Sequence, residues 1–425
     1  MVFDVPPIWW MALGAIWLFQ AWWCAWNTRR FRRKIHRWDR RFARIQPFTP
    51  SVVAIVPVKG VDAEFEGHVA AILEQDYPAY RVLFVVESAD DPAAAPLQAR
   101  AAAFPTGRES GCLEIRVEVA GASEHGGQKV HNLRHGLAQL RETDEAIVFA
   151  DADAVPDDQW LTRMTRELRR PDVAATTGYR WLIPAPGSTA SWPTAFASVL
   201  NSSVATLYGY DRQNHAWGGS TAILQETART CELDQAWQGA LSDDYQLTRT
   251  LRAHGRRVLF IPRCVVASPA AFTWRSLLEF GRRQYVITRT YAPGVWLLAL
   301  AFMAVYFSGW IGTLVVALGA GNGWGYAVAA LALILGLDHW RASNRAASAR
   351  ELFGAVATER LKRARALDRW AMPLCMVVHA GLILSSAVGR RLTWAGITYL
   401  IRGRRDVAVL AHPPAPDADN QPAEA

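Results

Sequence analysis

The stretch Ala146-Ile147-Val148-Phe149-Ala150-Asp151-Ala152-Asp153-Ala154-Val155-Pro156 is an apolar run that ends in two carboxylates one residue apart. A short apolar run bounded by turn formers fits a strand buried on both faces. Pro156 suits the first turn of a following helix. Alternate residues of an extended segment share a face, so at a strand end Asp151 and Asp153 can reach one divalent cation and, through it, a diphosphate. Capping a helix is the other use of such an aspartate.

Similar runs recur at 52–56, 82–86, 115–119 and 258–261, and helical patterns around 65–74, 130–140 and 157–168 alternate with them. The alternation predicts an α/β domain over 50–290 with a mostly parallel sheet, whose ligands sit at the carboxyl ends of the strands. Glu87-Ser88-Ala89-Asp90-Asp91-Pro92 follows the second run. It offers carboxylates to a base or ribose, or simply makes a turn. In Gly126-Gly127-Gln128-Lys129 a glycine turn enters a helix, where Lys129 and the free amides can meet a phosphate or Lys129 can stay solvated. Leu241-Ser242-Asp243-Asp244-Tyr245 opens another helix. Its carboxylates serve as caps, or one of them, crowded by the other near an apolar surface, takes a proton from an acceptor hydroxyl. Arg282, Arg283, Gln284 and Arg289 precede an apolar segment and suit a diphosphate or anionic lipid headgroups. Trp217-Gly218-Gly219 lines an acceptor side or forms a packed turn.

Residues 8–26 hold six tryptophans and no charge, and arginines follow from Arg29 to Arg44. That stretch is long enough to cross a hydrocarbon core of roughly 30 Å. Positive charge behind the apolar run, not in front, reads as an uncleaved anchor (1–28) and basic linker (29–49), with the 50–290 domain cytoplasmic. Apolar stretches return within 291–340 and 372–389, the later ones short enough to be re-entrant. Between them, 341–371 reads as a basic amphipathic segment on an anionic leaflet, or as a solvated loop. The final 390–425 is expected to be a basic, then disordered, tail on the cytoplasmic side. A multi-pass protein of the cell membrane is implied.

In 425 residues, 51% hydrophobic with a net charge of +8, the arginine clusters abut apolar segments, and no basic and aromatic interleaving of an RNA-binding type appears. Nucleic acid is therefore not an expected partner. Cys24, Cys112, Cys231, Cys264 and Cys375 lie far apart, which argues against zinc and disulfide frameworks. No GxxxxGK[ST] loop is present. Nothing in the sequence sets an oligomeric state.

Taken in order, Val56-Pro57-Val58-Lys59-Gly60, Asp90-Asp91-Pro92-Ala93, Lys129-Val130-His131-Asn132-Leu133, Asp151 and Asp243-Asp244-Tyr245 resemble the motifs of family 2-type glycosyltransferases of the GT-A fold, most closely the ceramide glucosyltransferase branch. The resemblance implies inverting transfer from a nucleotide sugar, UDP-glucose above all, to a membrane lipid hydroxyl. Asp244 would be the general base beside Asp243. Lys59, Glu87, Asp91, Lys129 and Asp151 would bind the donor, and Mg2+ or Mn2+ would sit at Asp151 and Asp153. The family's (Q/R)xxRW signature is altered: Gln284-Tyr285 stands where Arg-Trp is expected, which leaves Arg282, Arg283 or Arg289 for the diphosphate. A polysaccharide synthase would be expected to keep that signature. Transfer to a hopanoid, diacylglycerol or polyprenyl phosphate is the other reading.

Overall fold

The computed structural model describes residues 8–412 except 45, 106, 187–190, 211–212 and 320–322. The first seven residues of the expected anchor and the tail from 413 lie outside the described residues. β1 (Val52–Pro57), β2 (Ala79–Val86), β3 (Gly111–Val119), β4 (Ala146–Ala150), β5 (Val173–Pro184), β6 (Ser220–Leu224) and β7 (Arg257–Ala270) form one sheet in the order β3-β2-β1-β4-β6-β5-β7. Only β6 runs antiparallel to its neighbours.

The central strands are apolar at every position because both faces are covered. Val52, Ala54 and Val56 of β1 and Ala146 and Val148 of β4 enter one core. Val53, Ile55, Ile147 and Phe149 enter the opposite one. This is the burial that a parallel α/β sheet requires. β5 and β6, which the apolar runs did not announce, complete the sheet beyond β4.

The helix Ile8–Phe42 is 35 residues long, so the anchor and most of the expected linker are one rod. It and Pro293–Leu318 are long and apolar enough to cross a membrane. Gly323–Arg360 packs along both, and carries a kink at Gly354, whose φ of +76° suits glycine. The basic segment 341–371 therefore belongs largely to this helix. Arg341 and Arg345 do not face a leaflet but are buried, with Arg345 Nη1 2.6 Å and Arg341 Nη2 3.2 Å from Asp368 Oδ1. Lys362–Trp370 and Met372–Ser385 meet at 95°, the shape of a broken span or re-entrant hairpin.

The basic first part of the expected 390–425 tail is folded into three antiparallel strands, β8 (Arg391–Trp394), β9 (Ile397–Gly403) and β10 (Asp406–Ala411). They dock on the α/β domain and the helix that closes it. Gly126 donates its N–H to Val407 O (2.8 Å), Gln128 its N–H to Tyr399 Oη (3.2 Å), and Tyr291 Oη donates to Arg404 O (2.6 Å). The chain at 407 thus lies against the 50–290 domain.

Candidate active site

The carboxyl ends of β1 and β4 and the amino ends of helices Gln128–Ala138 and Asp243–Ala253 open onto one cleft of about 670 Å³. Gly126, at φ +90°, makes the turn that lays Gln128–Ala138 against the 239–241 segment; a Cβ there would lie 3.0 Å from Ala240 O. The turn brings Lys129 Nζ to 2.6 Å from Asp151 Oδ1 and 3.3 Å from Asp243 Oδ1. Burial would push this ammonium down, but the two carboxylates outweigh it and hold Lys129 above the ordinary lysine value. Burial pushes the Asp243 carboxyl up to about 6; Lys129 opposes the shift, and Asp244 and Asp151 add to it.

Ser242 caps the helix, its hydroxyl accepting the Tyr245 N–H at 3.2 Å. Asp243 and Asp244 occupy the first turn, where the helix dipole favours negative charge. Asp244 Oδ1 accepts the Tyr245 N–H at 2.6 Å and the Ser242 hydroxyl. Among the described residues only that oxygen of the carboxylate is hydrogen-bonded. Asp244 lines the cleft.

Gly218 and Gly219 lie directly under the acidic cluster. A Cβ on Gly218 would fall onto the Asp243 carboxylate and within 2.9 Å of Lys129 Nζ. One on Gly219 would meet the Trp217 ring and stand 2.6 Å from Asp151 Oδ2. The pair is a packed turn that makes room for the carboxylates, while Trp217 itself lines the cleft.

Asp153 also lines the cleft, with Arg180 Nη1 3.8 Å from its Oδ2. Desolvation and the neighbouring Asp151 raise its pKa against the pull of Arg180. Two carboxylates that repel one another, with hard oxygen donors and open space beside them, fit a Mg2+ or Mn2+ ion completed by substrate phosphates. Among the described residues no group of three or more His, Cys, Asp or Glu could hold a metal unaided.

The remaining candidates divide. Lys59 lines the cleft and pairs with Glu87, whose Oε1 is 3.4 Å from His412 Nδ1. Asp91 does not line it: its Oδ1 accepts the Gly60 (2.8 Å) and Ala93 (2.9 Å) amides and ties together the loops after β1 and β2. Arg283 and Gln284 face the cleft. Arg282 instead donates to Ser385 O (3.2 Å), Val388 O (3.1 Å) and Arg391 O (3.1 Å), and Arg289 to Gly389 O (2.5 Å). Those two brace the helix Trp274–Tyr291 against the loop before β8.

Sequence reasoning missed Trp394 and Tyr399, which enter the cleft from the C-terminal sheet. Arg283 lies 5.2 Å from the Trp394 ring and 5.4 Å from that of Phe280. Burial, with Arg180 nearby, pushes its pKa down to about 10. An Arg-Trp pair is thus assembled from two distant segments. The available signal was the alternation of buried Ile397, Tyr399 and Ile401 behind the Ala395-Gly396 turn, both of whose φ angles are positive.

Away from the charges the cleft turns apolar. Leu200 and Val204 of the helix Trp192–Ala205, Leu277 of Trp274–Tyr291, and Leu382 form this end. Trp192 (51% exposed) and Trp274 (49%) stand at the starts of those two helices.

Residues 9–407 match the sequence profile of glycosyl transferase family 21. Among solved structures, a mannosyltransferase from Pyrobaculum calidifontis in complex with GDP-Man and Mn2+ aligns over 89% of this chain and 96% of its own, at 19% identity and a TM-score of 0.45. S. aureus TarS 1-349 aligns over 85% and 99%, at 13% identity and a TM-score of 0.35. Glucosyl-3-phosphoglycerate synthase from Mycobacterium tuberculosis, solved with Mn2+ and UDP-Glc, aligns over 56% and 77%, at 14% and 0.36. No curated protein sequence matches.

Proposed function

The chain belongs to glycosyl transferase family 21, and from that premise we propose that it is a membrane-bound inverting glycosyltransferase acting on a lipid hydroxyl. The observation that carries the reading is the composition of the cleft. Asp151, Lys129, Asp243 and Asp244 gather at one end, and the other end is apolar and walled in part by Trp274–Tyr291, which leads into the membrane-length helix Pro293–Leu318.

The donor is a nucleotide sugar, UDP-glucose favoured, with its diphosphate toward Asp151 and Asp153. A divalent cation bound there would neutralise the leaving diphosphate. Lys129 holds Asp151 and Asp243 in fixed positions, and Arg283 supplies a further cation on the opposite wall. Lys59 and Glu87 flank the nucleotide, and Asp91 acts on it only through the loops that it ties. The acceptor keeps its alkyl chains at the apolar end and presents its hydroxyl to Asp244. Asp244 removes the proton as the hydroxyl oxygen bonds to the anomeric carbon, and the bond from that carbon to the diphosphate oxygen breaks. Attack from the face opposite the diphosphate inverts the configuration without a glycosyl-enzyme intermediate.

A ceramide-like acceptor is favoured, and the arginines in the second half of the first helix support a cytoplasmic catalytic domain at the cell membrane. The test is nucleoside diphosphate release by the detergent-solubilised protein. UDP-glucose, UDP-galactose and UDP-GlcNAc are each paired with ceramide and diacylglycerol, with Mg2+, Mn2+ or chelator. Turnover with UDP-glucose and ceramide that chelation abolishes supports the full reading. Turnover with another pair changes the specificity, and none with any pair opposes it.

A further inference from the structure

A second recess, of about 720 Å³, lies on the other side of the helix Trp274–Tyr291 from the catalytic cleft. Arg289, Arg390, Arg402 and Arg404 line it, together with Val286 and Ile401, and no Asp or Glu is among its lining residues. Among the described residues none of these four arginines is in an ion pair. Arg289 and Arg404 spend hydrogen bonds on the carbonyls of Gly389 (2.5 Å) and Thr290 (3.1 Å), which fixes their side chains without neutralising them. Arg390 and Arg402 are exposed. Four like charges around one concavity repel each other, so the arrangement is held for an anion.

Its place in the fold says which anion. Thr290 precedes the membrane-length helix beginning at Pro293, and Ala387 follows the apolar helix ending at Ser385. The recess therefore sits where two apolar helices enter the bilayer, at headgroup depth on the catalytic side. Guanidinium groups between such helices match a phosphate monoanion or diester. We propose that this recess binds the phosphate of an anionic phospholipid. The bound lipid braces Trp274–Tyr291 against β9, the two elements that also carry Arg283, Gln284, Ile397 and Tyr399 into the cleft. The site rests on the membrane reading of the chain and not on the donor, the acceptor or the chemistry of transfer.

The test reads melting temperature, so it stands apart from turnover. The full-length protein in neutral detergent is titrated with dioctanoyl phosphatidylglycerol, dioctanoyl phosphatidylcholine or inorganic phosphate. The glycerol lipid should raise the melting temperature by several degrees and the choline lipid should not. Arg390→Gln/Arg402→Gln, at exposed positions, should melt like the wild type without lipid and lose most of the shift. Arg402→Gln alone serves if the double variant does not fold. A variant-sensitive shift with inorganic phosphate as large as that with the lipid would reassign the site to free phosphate. No shift with phosphatidylglycerol, or one that the substitutions leave intact, overturns the proposal.

Discussion

Gly218→Ala should disable catalysis while leaving most of the fold standing. The added Cβ would fall onto the Asp243 carboxylate and reach 2.9 Å from Lys129 Nζ, inside the 3.0 Å that Cβ atoms essentially never cross. Asp243 cannot simply turn away, because its carbonyl accepts the Trp237 Nε1–H at 2.9 Å and its side chain is paired with Lys129. The carboxylate must move by about 1 Å, and displacements of that order at a reacting centre cost about 100-fold in rate. Overpacking at a buried turn costs about 1–3 kcal/mol of stability, which a thermal melt would show as a partial loss. The assay pairs nucleoside diphosphate release at saturating donor and lipid with that melt. Gly219→Ala, 2.6 Å from Asp151 Oδ2, should behave alike. A folded Gly218→Ala protein with wild-type turnover would refute the reasoning, since the carboxylate positions would then not matter.

Arg283→Ala and Trp394→Ala should each lower turnover at least about 10-fold, with a combined effect smaller than the product because they act as one unit. Arg283→Lys should not restore it, because an ammonium lacks the planar face that stacks on indole; full activity in Trp394→Ala would remove the pair from the mechanism. Asp243 titrates near 6 in the folded protein against an ordinary 3.8. The folded state therefore holds the proton more tightly, and this contribution to stability is complete below about pH 4 and lost as pH rises through about 6. Melting temperatures of wild type minus Asp243→Asn should accordingly fall between pH 5 and pH 7.5, and a flat difference would contradict the shift. Tyr399→Phe leaves the buried Gln128 N–H without its partner and should cost about 1–3 kcal/mol, read by denaturant unfolding.

Legibility followed the range of the interactions. β1, β2 and β4 were plain because burial on both faces demands unbroken apolar runs. The aspartates after β4 and at 243–244 were plain because strand ends and helix starts are local features. β5, with Ala174, Thr176, Thr177 and Gly178 among its residues, lacks such a run, since it is buried against small and polar neighbours. Trp394 could not be joined to Arg283 from sequence, because the contact depends on β8 and β9 docking against Trp274–Tyr291. The arginines of the last segments were counted as charge on a tail. Arg404 donates to a backbone carbonyl, and Tyr399 beside them is buried, so composition outweighed the period-2 pattern that marks a strand. Arg282 and Arg289 misled for the same reason: a guanidinium serves a carbonyl as readily as a phosphate, and only the packing of Ser385 to Arg391 decides which.

The central claim is that Asp244 is the base in a cleft joining a nucleotide sugar to a membrane lipid. Single-turnover nucleoside diphosphate release, with donor binding measured on the same samples, tests it for wild type and Asp244→Asn. The account predicts donor affinity within a few-fold of wild type and a rate lower by about 10²–10⁴-fold. An unchanged rate in Asp244→Asn would contradict it.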